Sequence, residues 1–136
     1  MAGYSGTPLA KKLGIKPGHR VALIDAPEGF GGELEPLPEG VVLRRDLRGA
    51  RDVLVSFAPD RRRLERRLPA LRRALDEAGG LWVAWPKKSS GVVTDLDFDA
   101  VQSRGLALGL VDNKVCAIDE TWSALRFVVR VADRGK

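Results

Sequence analysis

The chain has 136 residues, with 23 Lys plus Arg against 18 Asp plus Glu, a formal net charge of +5, 44% hydrophobic and 30% charged residues. That length sets an expectation of a single domain over residues 1–136, able to bury a core without staples. The composition argues against a disordered chain, and no apolar run approaches the ~18 residues of a membrane span.

In chain order, Ser5-Gly6-Thr7-Pro8 reads as the opening of a short helix, with Thr7 as N-cap, Pro8 at the first helical position and Gly14 closing it. Lys16-Pro17-Gly18 is a turn. Residues 19–24 form a nearly continuous apolar run, as in a strand buried on both faces of a parallel sheet. Residues 27–40, rich in Gly, Pro and Glu, form a loop with one turn of helix near 32–34. Short strands are expected at 41–43 and 52–57. Asp60 then caps a helix whose Leu64, Leu68, Leu71 and Leu75 recur at helical spacing and face the core. Pro69 is expected to kink or split that helix, and Gly79-Gly80 to end it. The strongest strand signal is Leu81-Trp82-Val83-Ala84-Trp85, followed by the loop 86–91. A second helix is expected over about 97–108, with Phe98, Val101 and Leu108 on the core and Gly109 at its end. Strands at about 111–118 and 125–131 close the chain. Their short joint makes them antiparallel, because a parallel crossover needs more residues. The sum is an α/β fold: a small three-layer sheet, mainly parallel, with a C-terminal antiparallel pair.

Charge is concentrated. Residues 60–73 hold seven arginines against Asp60 and Glu65, a local surplus of five that equals the net charge of the whole chain. Such a face is either a solvated helix surface or a dock for nucleic acid or an acidic partner, through Arg61, Arg62, Arg66 and Arg73. Cys116 is the sole cysteine, which excludes an internal disulfide and any C-x-x-C motif. With no apolar signal region at the start, the expected location is cytoplasmic.

Two segments resemble Rossmann-like methyltransferases: residues 13–21, which look like the entry to the first strand, and residues 75–85, which look like the later helix–Gly-Gly–strand step. The strings GYSGTPLAKKLGI (3–15), APEGF (26–30), LWVAWPKKSSG (81–91) and GLVDNKVCAIDETWSALRF (109–127) resemble the bacterial domain-of-unknown-function family 3052. The resemblance implies a reduced Rossmann-like fold and no particular mechanism. In methyltransferases a glycine-rich turn follows the first strand, so that the backbone approaches the methionine part of the cofactor. Here that place reads Asp25-Ala26-Pro27-Glu28-Gly29-Phe30-Gly31-Gly32, which is not G-x-G. One strand and its flanking helix are missing between Leu43 and Asp52. Asp46 stands where a ribose-binding acid would be.

Most catalytic motifs are absent. There is no P-loop and no H-E-x-x-H, and the one histidine, His19, sits at the wrong end of a strand for a Ser-His-Asp site. No catalytic residue and no metal ligand is assigned. Cys116, among apolar neighbours, reads as a small buried hydrophobe. The best local candidate is the loop after the central strand, because open α/β sheets bind ligands outside the carboxyl ends of their strands. Lys87, Lys88, Ser89, Ser90 and Gly91 offer ammonium, hydroxyl and backbone donors for a phosphate or carboxylate. Glu28, Gly29, Ser56 and Trp85 are expected to open on the same rim, with Trp122 close if the terminal hairpin folds over it. The leading expectation is therefore a non-catalytic domain binding an anionic small molecule or a protein partner, with no membrane span. The alternatives are a reduced S-adenosylmethionine-dependent methyltransferase and a nucleic-acid binder.

Overall fold

The computed structural model describes residues 7–135; Ser5 and Gly6 of the expected helix opening lie outside them. The elements run α1 (Leu9–Lys12), β1 (Arg20–Ile24), α2 (Phe30–Glu33), β2 (Val42–Arg44), β3 (Arg51–Phe57), α3 (Arg61–Ala74), β4 (Leu75–Pro86), α4 (Phe98–Ala107), β5 (Leu110–Ala117) and β6 (Trp122–Val129). The six strands form one sheet in the order β2-β1-β3-β4-β6-β5. β1, β2, β3 and β4 pair in parallel, whereas β6 runs antiparallel to both β4 and β5. The carboxyl ends of β1, β3 and β4 therefore share one rim.

Period-two alternation sorts the side chains into two cores. Ala22, Ile24, Leu54, Leu81 and Val83 face α3 and α4, meeting Leu64, Leu68, Leu71 and Val101. Val21, Leu23, Val53, Val55, Trp82 and Ala84 face the other way, meeting Ala10 and Leu13 of α1 and Phe30 and Leu34 around α2. The result is three layers, with α1 and α2 on one face and α3 and α4 on the other. Trp82 is fully buried, and its indole Nε1 donates to the Leu13 carbonyl at 3.0 Å, which ties the end of α1 to the central strand.

Several boundaries depart from the sequence reading. The cap of α1 is Pro8, one residue after Thr7. α3 is neither split nor ended where expected. Asp60 caps it, its carboxylate accepting from the Arg63 N–H at 2.8 Å, and the helix runs through Pro69 to Ala74. Pro69 is exposed, so the carbonyl left unpaired by its missing N–H can face water. Leu75 already has extended backbone and pairs with Arg51, so Gly79-Gly80 lies within β4. Both glycines are needed there. A Cβ on Gly79 would meet the Asp52 carbonyl oxygen at 2.6 Å, and one on Gly80 would strike the Arg126 guanidinium. In α4, Phe98 is 37% exposed and meets the core only with its ring edge-on to buried Trp85; Ala100, Val101 and Gly105 face inward. Gly105 is where the Phe127 ring packs directly on the helix.

The connection between β2 and β3 decides where a site can form. These strands flank β1, yet only residues 45–50 join them, too few for a helical crossover. Leu47 packs against the α3-side core, and the Asp46 carboxylate accepts from the Arg48 N–H at 3.1 Å to shape the turn. The rim beside β1 and β2 is left partly uncovered.

Candidate functional site

A partly open cleft of about 300 Å³ occupies that uncovered rim, lined by Ile24, Asp25, Arg45, Asp46, Leu47 and Arg67. Its volume lies at the lower end of the range for small-molecule sites, roughly 300–1,000 Å³. Each lining group comes from the end of β1, from the 45–50 connection or from the flank of α3.

Asp25 follows β1 directly and is the one non-glycine residue with positive φ among the described residues, at 57°. Its carboxylate receives two hydrogen bonds from Arg67, from Nε and Nη2 at 2.9 Å each, and an ion pair from Arg63 at 3.4 Å. Arg63 and Arg67 are one turn apart on α3, so both reach the same acid. The Arg67 hydrogen bonds hold the Asp25 carboxyl below its usual pKa, against the opposing effect of burial and with the nearby charges of Arg67 and Arg63 helping. Asp46, two residues past β2, is gripped by Arg44 at 2.9 Å and lies 3.6 Å from the buried Arg51. Its carboxyl is also lowered, chiefly by the Arg44 hydrogen bond and then by the Arg48 N–H. Arg51 donates to the Arg48 carbonyl at 2.7 Å, while its buried Nε has no hydrogen-bond partner. The remaining lining cation, Arg45, reaches back over α2: a Cβ on Gly31 would stand 3.1 Å from its Nη2. Both carboxylates are ionised and matched by guanidinium groups, and Arg45 adds a positive charge with no acidic partner among the described residues.

The turn between β1 and α2 has left-handed backbone at Asp25 and again at Gly29, with φ 81°. A Cβ on Gly29 would touch nothing within 4 Å, so the backbone there faces open space. Glu28 is exposed beside it.

The loop after β4 is arranged differently from the expectation. Lys88–Ser90 form one 3-10 turn closed by Gly91 at φ 79°. The turn consumes much of its own hydrogen-bonding capacity. The Lys87 N–H donates to the Thr121 carbonyl at 2.8 Å, and the Ser90 hydroxyl donates to the Lys87 carbonyl at 2.6 Å while accepting from the Val92 N–H. Lys88 and Ser89 are exposed. Ser56 and Trp85 are core residues rather than rim residues, 1% and 7% exposed. Trp85 packs edge-on to Phe98 in the α3–α4 layer, whereas half-buried Trp122 packs edge-on to Phe57, at 5.1 Å, in the opposite layer. The sheet separates the two indoles, so they do not form one stacking surface. The cleft and this loop share the rim, but β3 and β1 separate β4 from β2.

Among the described residues no three His, Cys, Asp or Glu side chains are grouped as metal ligands, and no helix is long and apolar enough to cross a membrane. Cys116 is buried, and burial raises its thiol pKa.

Known structures share this architecture. DhpI in complex with SAH superposes with a TM-score of 0.59 at 13% identity, covering 91% of this chain and 83% of that one. A ribosomal-protein methylase from Lactobacillus delbrueckii subsp. bulgaricus gives 0.55 at 12% identity, over 90% and 75% of the two chains. Magnesium protoporphyrin IX methyltransferase from Synechocystis, with bound SAH, gives 0.56 at 10% identity, over 90% and 78%. The chain has a methyltransferase-like Rossmann fold. Identities this low speak for the fold alone. No family model and no curated protein matches the chain, so the likeness to domain-of-unknown-function family 3052 rests on its sequence strings.

The loop after β4 that the sequence singles out and the cleft beside β1 and β2 lie on the same rim, with β3 between β4 and β1. Asp46 was noticed as a lone acid. Asp25 was noticed only as a missing glycine, and Arg67 only as part of a charge run. The available signal was an acid just past each of β1 and β2, together with arginines repeating at i and i+4 on one flank of α3.

Proposed function

We propose that this chain is a small-molecule-binding domain whose cleft at the ends of β1 and β2 accepts an S-adenosyl ligand. The observation that carries the proposal is the meeting of Asp25, Asp46, Arg45 and Arg67 around one cleft at the strand ends. The residues fit the chemistry of such a ligand. Asp46 is an acceptor suited to a ribose diol. Ile24 and Leu47 offer apolar surface for a base, Arg45 offers donors for a carboxylate, and Asp25, held by Arg67, an acceptor for an ammonium group. The open Cα face of Gly29 leaves room for close approach of ligand to backbone. S-adenosylmethionine, when bound, supplies an electrophilic methyl group.

The titratable lining consists of two carboxylates and two guanidinium groups. Carboxylates held below their usual pKa by arginines are poor proton acceptors near neutral pH. This favours binding and orientation over proton transfer by the chain's own groups. Asp25 has a further effect. Its side chain stands at the first residue of the turn, where a glycine would leave the backbone bare, so Arg67 and Arg63 position a carboxylate toward the ligand.

Calorimetric titration with S-adenosylmethionine, S-adenosylhomocysteine and AMP tests the reading. The S-adenosyl ligands are expected to bind, with Asp46→Asn weakening them by about tenfold for one lost charge-assisted hydrogen bond. Binding of AMP alone would replace the adenosyl reading with a nucleotide one. Silence from all three at millimolar concentration, with the fold verified by circular dichroism, would remove the proposal.

A further inference from the structure

The outer face of α3 presents a cationic stripe that the cleft does not use. On a period of 3.6 residues the helix divides into four strips. Leu64, Leu68 and Leu71 form the buried strip against the sheet. Arg63 and Arg67 lie on the flank toward β1 and are committed to Asp25. On the other flank, Arg61 binds Asp95 through both its N–H and its Nε, and Glu65 pairs with Arg104 at 2.7 Å. The last strip, opposite the buried leucines, carries Arg62, Arg66 and Arg73. All three are exposed, and among the described residues none has an acidic partner.

This arrangement works against the isolated helix. The first turn holds Arg61, Arg62 and Arg63 and no acid, at the end of the helix where cations are disfavoured by the backbone dipole. Arg62 and Arg66 are like charges one turn apart, which also disfavours the helix. Asp95 and Asp25 offset the repulsion at Arg61 and Arg63 and the Asp60 carboxylate caps the helix end, but among the described residues no carboxylate pairs with Arg62 or Arg66. From Arg62 to Arg73 the stripe extends about 16 Å, matching roughly five nucleotide steps of 3.4 Å along one strand. Between the arginines the stripe carries Pro69 and no aromatic ring that a single-stranded base could stack on.

We propose that the Arg62–Arg66–Arg73 stripe docks the phosphate backbone of a nucleic-acid duplex, without reading its bases. This surface points away from the sheet and does not depend on what the cleft binds. Three neutralised phosphates give a slope of log K against log salt of about −2.7. The full chain is titrated into a fluorescently labelled DNA duplex of about twenty base pairs, over salt from about 25 to 200 mM, with anisotropy as the readout. Binding with that slope is expected. Replacing all three arginines by Gln should bring the slope close to zero, and replacing them by Lys should preserve it, because a phosphate backbone demands charge rather than a fork geometry. Circular dichroism confirms that the Gln variant folds. No binding at the lowest salt overturns the proposal, as does a Gln variant that keeps the slope. Tighter binding to polyglutamate than to the duplex also overturns it, in favour of an acidic protein partner.

Discussion

Replacing Asp25 by Gly and by Ala separates two effects that oppose each other at the end of β1. The backbone there is left-handed, with φ 57°. An ordinary L-residue pays roughly 1–2 kcal/mol for that conformation, whereas glycine adopts it freely. Either substitution removes the carboxylate that pairs with Arg67 and Arg63. The Asp25 side chain is 19% exposed and its partners 39% and 40%, so the pair is neither fully wet nor fully buried. Its loss should cost about 1–2 kcal/mol, between the values for surface pairs and buried charged hydrogen bonds. For Asp25→Gly the backbone gain largely offsets this loss; for Asp25→Ala nothing does. The expected order of stability at neutral pH is wild type, then Gly, then Ala, with about 1 kcal/mol between the variants. The pH dependence gives a second check. The Asp25 carboxyl is lowered from 3.8 in the folded chain. Its ionic contribution is therefore fully present above that unfolded value and is lost as pH falls through the lower folded one. The gap between wild type and either variant should narrow on acidification, while the Gly–Ala gap stays constant. Urea unfolding followed by tryptophan fluorescence measures both, since Trp82 and Trp85 are buried. If Asp25→Ala proves as stable as Asp25→Gly, the left-handed turn is refuted. A gap from wild type that does not change with pH refutes the ion pair.

Gly105→Ala should destabilise the chain although the helix gains propensity. The gain is about 1 kcal/mol, but the new Cβ strikes the Phe127 ring, which is 1% exposed and hemmed in, and such overpacking costs about 1–3 kcal/mol. A lower urea midpoint, partly restored by adding Phe127→Leu, is expected; a midpoint raised by the full propensity gain would mean that α4 does not lie on β6 as described. The Cys116 thiol, 8% exposed and with its pKa raised by burial, should react with an aromatic disulfide reagent slowly in native buffer and at once in urea. Rapid native reaction would contradict its place in the core.

The strands were legible because burial on both faces leaves continuous apolar runs such as 21–24 and 81–85, and the antiparallel ending followed from a joint too short for a crossover. Asp60 was legible as the N-cap of α3, and the expected start of α4 near 97 coincides with the Asp97 cap found in the structure. The end of α3 was hidden, because a Gly-Gly pair reads locally as a helix terminator. Its cause is long-range: the Asp52 carbonyl and the Arg126 side chain leave no space for a Cβ at Gly79 and Gly80. The candidate cleft was hidden for a similar reason. Asp25 and Arg67 are 42 residues apart, and no local pattern announces that the flank of α3 lies over the end of β1. Ser56 and Trp85 were placed on the correct strands, but alternation turned both into the core.

The central claim is that the ligand sits between the ends of β1 and β2. Backbone amide chemical shifts, recorded while S-adenosylhomocysteine is titrated into the 15N-labelled chain, test it most directly. Perturbations concentrated at Asp25, Gly29, Arg45, Asp46 and Leu47 are expected. Shifts concentrated at Lys88, Ser89 and Gly91 instead, or an unchanged spectrum at saturating ligand, would contradict it.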